Sequence, residues 1–396
     1  MSADSEIAAI APSEFAARRQ RTVELVRRGD LKGLLVFARG GGTLDRYADV
    51  LYLTNYYTPY PYIPDLQGNW SARAHTSLIV PATGEPTLII DSPNDGRIAL
   101  PAEQIVYTDF IVEETILAMR KSGLDRGPVG LVGADAMPST TYNQIAAALP
   151  DVQWRDAQSI LIEQRMIKSP AEIALLRRSA KIGSRMIEAM MAAAEPGATH
   201  GDVVAAGLQS LVPAGGMLYN SFMASGRGGD APVLVKSNFP TWGSKRPLEN
   251  GMWLRLGISG VVDGYYFDVS RSKAIGAPSK RQIELFEAAM AACDAGIAAT
   301  HAGTTAGQVG DAGLKKQESL GFPIKGVFSA LGHGIGLGWD SPWLARGDKT
   351  QIVPNMVLNY ERTISDGGGY LGDYEDTILV TSDGIERLTD AQKRFW

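Results

Sequence analysis

One histidine and three carboxylates have the residue types of a metal-ligand set. His333 lies in the glycine-rich run 332–338, Glu361 and Glu375 follow it, and Asp268 precedes it. Imidazole nitrogen and carboxylate oxygen are ligands that suit Mn, Fe, Co or Zn. The glycines around His333 let the backbone turn tightly and leave room for a substrate beside the ring. The other interpretation is four unrelated polar residues, each satisfied by local hydrogen bonds.

The two glutamates lie in sequence that is typical of buried strands. Glu361 ends the mostly apolar run 356–360, and Glu375 begins the stretch 375–380. A carboxylate in a buried strand is costly unless it is paired or bound to a metal. These positions therefore indicate either pairing or metal binding.

The elements that must position these residues fall into two regions. The first region alternates between helices and strands, which predicts an α/β domain. Its helices are expected at 13–28, 111–122 and 140–149, and its strands at 34–37, 76–80, 86–90 and 129–132.

The second region opens with a strong helix start. Ser169 is a suitable N-cap, with Pro170 at the first helical position and Glu172 at the third. The later pattern predicts an antiparallel sheet flanked by amphipathic helices, an α+β arrangement. Its helices are expected at 170–194, 201–212, 279–300 and 306–320, and its strands near 217–223, 252–259, 265–274, 356–362 and 377–381. We predict an N-terminal domain over 1–160 and a catalytic domain over 165–396.

Composition excludes several classes of protein. The chain of 396 residues is 45% hydrophobic with a formal net charge of −5, which gives no electrostatic reason to bind nucleic acid or an anionic membrane. Cys293 is the single cysteine, so an intrachain disulfide is excluded and a reducing compartment fits. No convincing signal peptide precedes residue 13, and no apolar run reaches the ~18 residues of a membrane span. We predict a cytoplasmic protein.

These motifs together resemble one known family. The order of the four candidate ligands, the Gly-His-Gly-Ile-Gly-Leu phrase and the helix start at 168–173 are similar to the creatinase, aminopeptidase P and prolidase family. This is the pita-bread superfamily, which also contains methionine aminopeptidase. The resemblance covers about 165–390 by motif and implies a pita-bread C-terminal domain behind an α/β N-terminal domain. It also implies a homodimer.

The resemblance implies an incomplete dinuclear metal site. Peptidase members bind two metal ions through Asp, Asp, His, Glu and Glu, and the phrase 264–271 places Asp268 at the second aspartate. The first aspartate would lie at position 257, which is Gly257 here. Asp268, His333, Glu361 and Glu375 match the first-metal ligands. We therefore expect one divalent metal ion (Mn, Fe, Co or Zn) or none.

A second departure concerns charge near the vacant position. Arg255 should project from the same face of a strand as Gly257, because side chains alternate with period two. The arginine that usually lies two residues before the last glutamate is replaced by Asp373. Arg255 could bind a substrate carboxylate, pair with Asp268 or Glu375 in a metal-free site, or simply face solvent. Arg255 and Asp373 also look like a swapped charge pair, and we expect both, with Tyr266, to bind substrate.

Two further departures argue against proline-specific peptidase chemistry. Val233 occupies the place of a substrate-binding histidine, and Asp340-Ser341 replaces a His-Glu pair after the glycine-rich turn. Asp340 is then the first candidate for a general base, with a metal-bound water as the alternative. Asp340 could equally be an ordinary loop aspartate. His333 and Glu361 complete the expected catalytic set.

The sequence thus predicts a hydrolase of a C–N (amide-like) bond in a small non-peptide substrate, with at most one metal ion. The alternatives are a metal-dependent lyase with Asp340 as base, an Xaa-Pro peptidase, and a non-catalytic binding protein of the same fold.

Overall fold

The computed structural model describes residues 9–40, 47–58, 60–71, 73–93, 96–229, 232–237, 245–324 and 329–396. The chain forms two compact units, Met1–Arg165 and Met166–Trp396. Among the described residues, no helix is long and apolar enough to cross a membrane.

The first unit is built around a mixed sheet of strand order β4-β3-β2-β1-β5-β6. Its central strands are the most apolar, and both faces of β1 and β2 are buried. The helices are α1 (Pro12–Arg28), α2 (Ala48–Thr54), α3 (Ile111–Lys121), α4 (Ser139–Ala148) and α5 (Gln158–Met166), the last of which ends one residue into the second unit. The strands are β1 (Gly33–Arg39), β2 (His75–Pro81), β3 (Thr87–Ile90), β4 (Ile105–Tyr107), β5 (Arg126–Val132) and β6 (Asp151–Asp156). The predicted α/β class is confirmed.

The second unit has an antiparallel sheet of order β12-β11-β13-β14-β10-β9-β7-β8, and β15 pairs with β14. The strands are β7 (Gly216–Arg227), β8 (Val233–Ser237), β9 (Trp253–Val262), β10 (Tyr265–Ala274), β11 (Gly332–Ile335), β12 (Trp339–Trp343), β13 (Val357–Ser365), β14 (Leu371–Val380) and β15 (Ile385–Arg387). The helices are α6 (Pro170–Ala193), α7 (His200–Leu211), α8 (Lys280–Ala298) and α9 (Ala306–Ser319). This is the predicted pita-bread arrangement of sheet and helices.

The helices of the second unit begin where the sequence predicts. Ser169 caps α6 through a reciprocal capping box with Glu172, and the same device begins α7, α8 and α9. The packing of α6 and α8 against the sheet buries apolar side chains such as Leu256, Phe267 and Tyr374. These side chains alternate with those of the polar residues described below, so the opposite face of the sheet is left for the site.

Candidate metal centre

The candidate ligands lie in adjacent rows across the sheet of the second unit. Strand register places Ser259 opposite Asp268, and His333 opposite Asn359. The neighbouring row contains Ser270, which is opposite Glu375, and Glu375 is in turn opposite Glu361. Because side chains alternate with period two, the rows are about 7 Å apart and project from one face. Strand pairing thus brings together residues that are far apart in sequence.

Three of these side chains are close enough to hold one ion, and a fourth, Glu361, lies beside His333. Asp268, His333 and Glu375 each offer a ligand atom, and these atoms lie within 4.8 Å of one another. His333 Nε2 is 3.8 Å from Asp268 Oδ2 and 3.7 Å from Glu361 Oε1. The structure therefore places three of the four predicted ligands in one group and the fourth, Glu361, next to His333.

Local backbone packing fixes the imidazole of His333. Its Nδ1 lies 2.8 Å from the carbonyl oxygen of Gly334, which can only accept, so Nδ1 carries the hydrogen and Nε2 presents a lone pair to the carboxylates. A Cβ added at Gly332 would lie 1.9 Å from the carbonyl oxygen of Asn359, so only glycine permits this approach of the strands.

Neighbouring side chains orient two of the carboxylates. Ser259 Oγ donates to Asp268 Oδ1 at 2.9 Å, and Asn359 Nδ2 donates to Glu375 Oε1. Thr377 Oγ1 in turn donates to Asn359 Oδ1 at 3.0 Å. Such outer contacts hold ligand groups in place for a metal.

Burial disfavours every charged form in this cluster. Burial raises the pKa of Asp268 to about 7, although hydrogen bonds from Ser259 and Trp339 act to lower it. Burial and then the charge of Asp268 raise the pKa of Glu361 to about 8. Burial and then the charges of Asp268 and Glu361 raise the pKa of Glu375 well above its usual range. Burial also lowers the pKa of His333 to about 4. A nitrogen lone pair facing three crowded carboxyl groups is a donor set that fits a divalent cation.

The cluster lies at the wall of a cavity of about 790 Å³. Phe222, Trp339 and Trp343 provide aromatic surface there. The Phe222 and Trp339 rings stack at 6.3 Å between centroids, and the indoles of both tryptophans lie within 6 Å of the His333 ring. A volume of this size suits a small molecule or a short peptide.

Arg255 lines the same cavity and is tethered by Asp373. Its Nε donates to Asp373 Oδ2 at 2.8 Å, and Thr363 donates to the other carboxylate oxygen. The charge pair that the sequence suggests between Arg255 and Asp373 is therefore present. The pairing of Arg255 with Asp268 or Glu375, which the sequence left open, is not found among the described residues.

Three predicted site residues lie outside the cavity lining, and one of them, Asp373, is the partner of Arg255. Asp340 is between Trp339 and Ser341 on β12, and its Oδ2 lies 3.0 Å from where a Gly336 Cβ would be, close to Lys168. Because side chains alternate along β12, a cavity-facing Trp339 turns Asp340 away. Tyr266 is buried with its ring edge-to-face to Tyr219 at 5.2 Å. Neither the base role of Asp340 nor substrate binding by Tyr266 has geometric support.

Sequence reasoning missed the aromatic wall and the supporting hydroxyl and amide groups. Trp339 and Trp343 are four residues apart on one strand, and this spacing alone could have placed them on one face. No comparable sequence signal identifies Phe222, Asn359 or Ser259, because their roles depend on cross-strand register.

Fold and site together define a two-domain metallohydrolase-type protein. The model of metallopeptidase family M24 matches residues 174–382, and that of the creatinase/prolidase N-terminal domain matches residues 18–167. The chain belongs to the M24 family, as the motifs predict, and is a hydrolase.

Known relatives carry peptidase names. The chain is 27% identical over 315 residues to the protein named probable dipeptidase PepE of Mycobacterium tuberculosis, covering 78% of this chain and 82% of that protein. It is 24% identical over 250 residues to the Xaa-Pro dipeptidase of Pyrococcus furiosus, covering 61% and 68%. The crystal structure of dipeptidase PepE from Mycobacterium ulcerans has a TM-score of 0.79 at 24% identity, covering 97% of this chain and 98% of that one. At this identity the structural likeness concerns the fold.

Proposed function

We propose that the chain hydrolyses the C–N bond of a short peptide, with an Xaa-Pro dipeptide as the first candidate substrate and one divalent metal ion as cofactor. The observation that carries this proposal is the convergence of Asp268, His333, Glu361 and Glu375 at the wall of a cavity of about 790 Å³. The peptidase names of the relatives favour this substrate over the non-peptide molecule expected from the sequence.

The four residues would hold the metal, which when bound supplies Lewis-acid activation of a carbonyl group and of water. Of Asp268, His333 and Glu361, Glu361 is the most accessible to solvent. Its side chain is 27% exposed, against 7% for Asp268. Glu361 is therefore placed to take a proton from the attacking water and to return it to the leaving nitrogen. The water oxygen bonds to the carbonyl carbon, and the C–N bond then breaks.

The local charges and the missing ligand at position 257 both favour a single metal ion. Asp268, Glu361 and Glu375 carry three negative charges when ionised, while Asp373 is paired with Arg255. Position 257 offers no carboxylate, and the guanidinium of Arg255 lines the same cavity. A second divalent ion would lack a ligand and would be repelled by this fixed positive charge.

A small non-peptide amide is the second candidate substrate. It is favoured by Val233, which lies on β8 where peptidases of the family carry a histidine, and by the placement of Asp340 outside the cavity. A lyase that uses Asp340 as base is not supported by this placement.

The test combines metal analysis with a substrate panel. Wild type purified without chelator and loaded separately with Mn, Fe, Co or Zn should bind about one equivalent and should cleave Ala-Pro. The isosteric Asp268→Asn variant should lose metal affinity by at least ~10-fold and lose cleavage in proportion. Asp263→Asn, a change at an ion-paired residue of the preceding turn, is the matched control and should behave as wild type.

Each outcome has a defined consequence. Two equivalents of metal would contradict the mononuclear centre, and retention of full affinity by Asp268→Asn would contradict the ligand set. Cleavage of N-acyl amides without cleavage of dipeptides would establish the second candidate. Metal binding without cleavage of either class would indicate a binding protein.

A further inference from the structure

In the sheet row that contains Glu375, there is a gap at Gly257 with room for an added Cβ. Gly257 lies between Phe222 and Ser270 in the row that continues to Glu375. A Cβ built at Gly257 would lie 3.4 Å from Ser270 Cβ and 3.8 Å from Phe222 Cβ, which are ordinary contact distances. Gly257 also lines the cavity. A group of the substrate can therefore enter this gap without displacing the protein.

A buried hydroxyl group beside this gap has no partner in the part of the chain that the structure describes. Ser270 is 2% exposed, and its Oγ makes no hydrogen bond among the described residues. A buried hydroxyl without a partner costs free energy that a ligand atom can recover. Ser270 is opposite Gly257 in the strand register, and its Cβ is 3.4 Å from the position of the added Cβ, so the Ser270 side chain borders the gap.

Arg255 is the second donor next to the gap. It lies on β9 two residues from Gly257, which places it one row, about 7 Å, along the same face. Asp373 holds the guanidinium through Nε, and this is the single ion pair of Arg255 among the described residues. Tethering at Nε leaves the two Nη groups to meet a ligand in the cavity that Arg255 lines.

We infer that Arg255 and Ser270 form an oxyanion-binding subsite over Gly257, which receives the oxygen of the scissile carbonyl. This inference rests on the proposed hydrolysis of a C–N bond. As the water oxygen bonds to the carbonyl carbon, the π electron pair moves onto the carbonyl oxygen and Arg255 and Ser270 donate to it. The pair returns when the C–N bond breaks and the nitrogen takes the proton held by Glu361.

The acidic surroundings favour a carbonyl oxygen over a permanent carboxylate in this subsite. Glu375 adjoins Ser270 in the same row, so a full negative charge bound before reaction would be repelled. A neutral carbonyl oxygen meets no such penalty until charge develops on it, when Arg255 offsets it. The stabilisation is then greatest in the transition state, which is the condition for catalysis. Asp373 acts as a positioning residue for Arg255.

The test uses metal-loaded full-length protein and a phosphinic analogue of Ala-Pro, in which a tetrahedral phosphinate replaces the planar amide. Arg255→Gln should lower kcat by ~10²–10³-fold, and Ser270→Ala by up to ~10-fold, with smaller changes in KM. Calorimetry should show the phosphinate Kd rising by the same factors as kcat/KM falls, because the repulsion between Glu375 and the phosphinate charge is the same in wild type and variants. The matched control is Ser221→Ala. It removes another buried hydroxyl that lacks a partner among the described residues, but on the opposite face of the sheet, so neither kcat/KM nor the phosphinate Kd should change.

Metal content and the thermal unfolding midpoint are measured for each variant. Arg255→Lys keeps the positive charge but removes the planar set of guanidinium donors. Phosphinate affinity that depends on Arg255 and Ser270 supports the subsite even where no amide is cleaved, in which case only the proposed hydrolysis fails. Folded, metal-loaded Ser270→Ala and Arg255→Lys proteins with wild-type phosphinate affinity would overturn it. A rise in KM at unchanged kcat would also overturn it, because it indicates ground-state anchoring.

Discussion

At the scale of single residues, the tautomer of His333 favours a cation in the acidic cluster. Its Nδ1 hydrogen is committed to the carbonyl of Gly334, so no hydrogen on the ring reaches the carboxyl groups that lie 3.7–3.8 Å from Nε2. Without a bound cation, acceptors face acceptors in a buried site, which is unfavourable unless protons are taken up. Histidine and acidic residues are common in proteins, and the short distances between these side chains are what define the candidate metal site.

A substitution at Gly257 should affect the stability of the protein and its activity in different ways. We expect Gly257→Ala to leave stability unchanged or to raise it by about 0.4–1 kcal/mol, because the added Cβ makes only ordinary contacts and the unfolded chain loses entropy. The same methyl group narrows the proposed subsite, so kcat should fall. Urea denaturation and steady-state kinetics on the metal-loaded variant measure the two effects.

Gly260→Ala on the same strand is the control for this change. Its Cβ would lie 2.2 Å from Phe267 Cζ, so we expect a loss of about 1–3 kcal/mol from overpacking. Unchanged kcat in Gly257→Ala would show that the gap beside Ser270 is not used by the substrate.

At the scale of elements, strand register brings the ligands together and helices hold the strands. The α7 helix is tied to β7 and β8 by His200, whose Nε2 and Nδ1 each lie 2.8 Å from a serine hydroxyl, in Ser225 and Ser237. The His200 ring is fully buried. This contact fixes the edge of the sheet next to β9.

His200 should contribute to the acid sensitivity of the fold. Burial lowers its pKa to about 4 from an ordinary value near 6.5, so the unfolded chain binds a proton that the folded state rejects between these values. The contribution to stability is therefore complete above pH 6.5 and is lost as pH falls toward 4. We expect His200→Gln to show a smaller loss of unfolding free energy between pH 7 and pH 5 than wild type, measured by urea denaturation.

His301→Gln changes an exposed histidine and serves as the control, with a pH dependence like that of wild type. An equal pH dependence in wild type and His200→Gln would mean that the other buried histidines, His75 and His333, account for the effect.

At the scale of the whole molecule, metal binding and folding should be linked. The four proposed ligands belong to β10, β11, β13 and β14, so the ion bridges strands that are distant in sequence and favours the folded state alone. At a free metal concentration 100 times Kd, the gain is about 2.7 kcal/mol. We expect the thermal midpoint to rise with added Mn²⁺ and to return with chelator.

Asp268→Asn should show little of this rise, whereas Asp263→Asn should show all of it. A metal-dependent rise that survives in Asp268→Asn would place the ion elsewhere. The homodimer and the cytoplasmic location expected from the sequence stay predictions, to be checked by sedimentation and by localisation.

Several features of this protein were determined by the sequence alone. The spacing of Asp268, His333, Glu361 and Glu375, with the capped helix at Ser169, indicated the family, the fold and the ligand set. Glycine at position 257 and the arginine two residues earlier indicated an altered site. These features are readable because ligand types, caps and period-two alternation are local properties of the chain.

Other features were decided only by the tertiary structure. The Ser270 hydroxyl, which has no partner among the described residues, and the aromatic wall at Phe222 and Trp339 depend on which strands are neighbours. Asp340 is the converse case, since its sequence position near His333 suggested a base and the alternation of β12 turns it away. Register and facing are set by long-range packing, which no local spacing specifies.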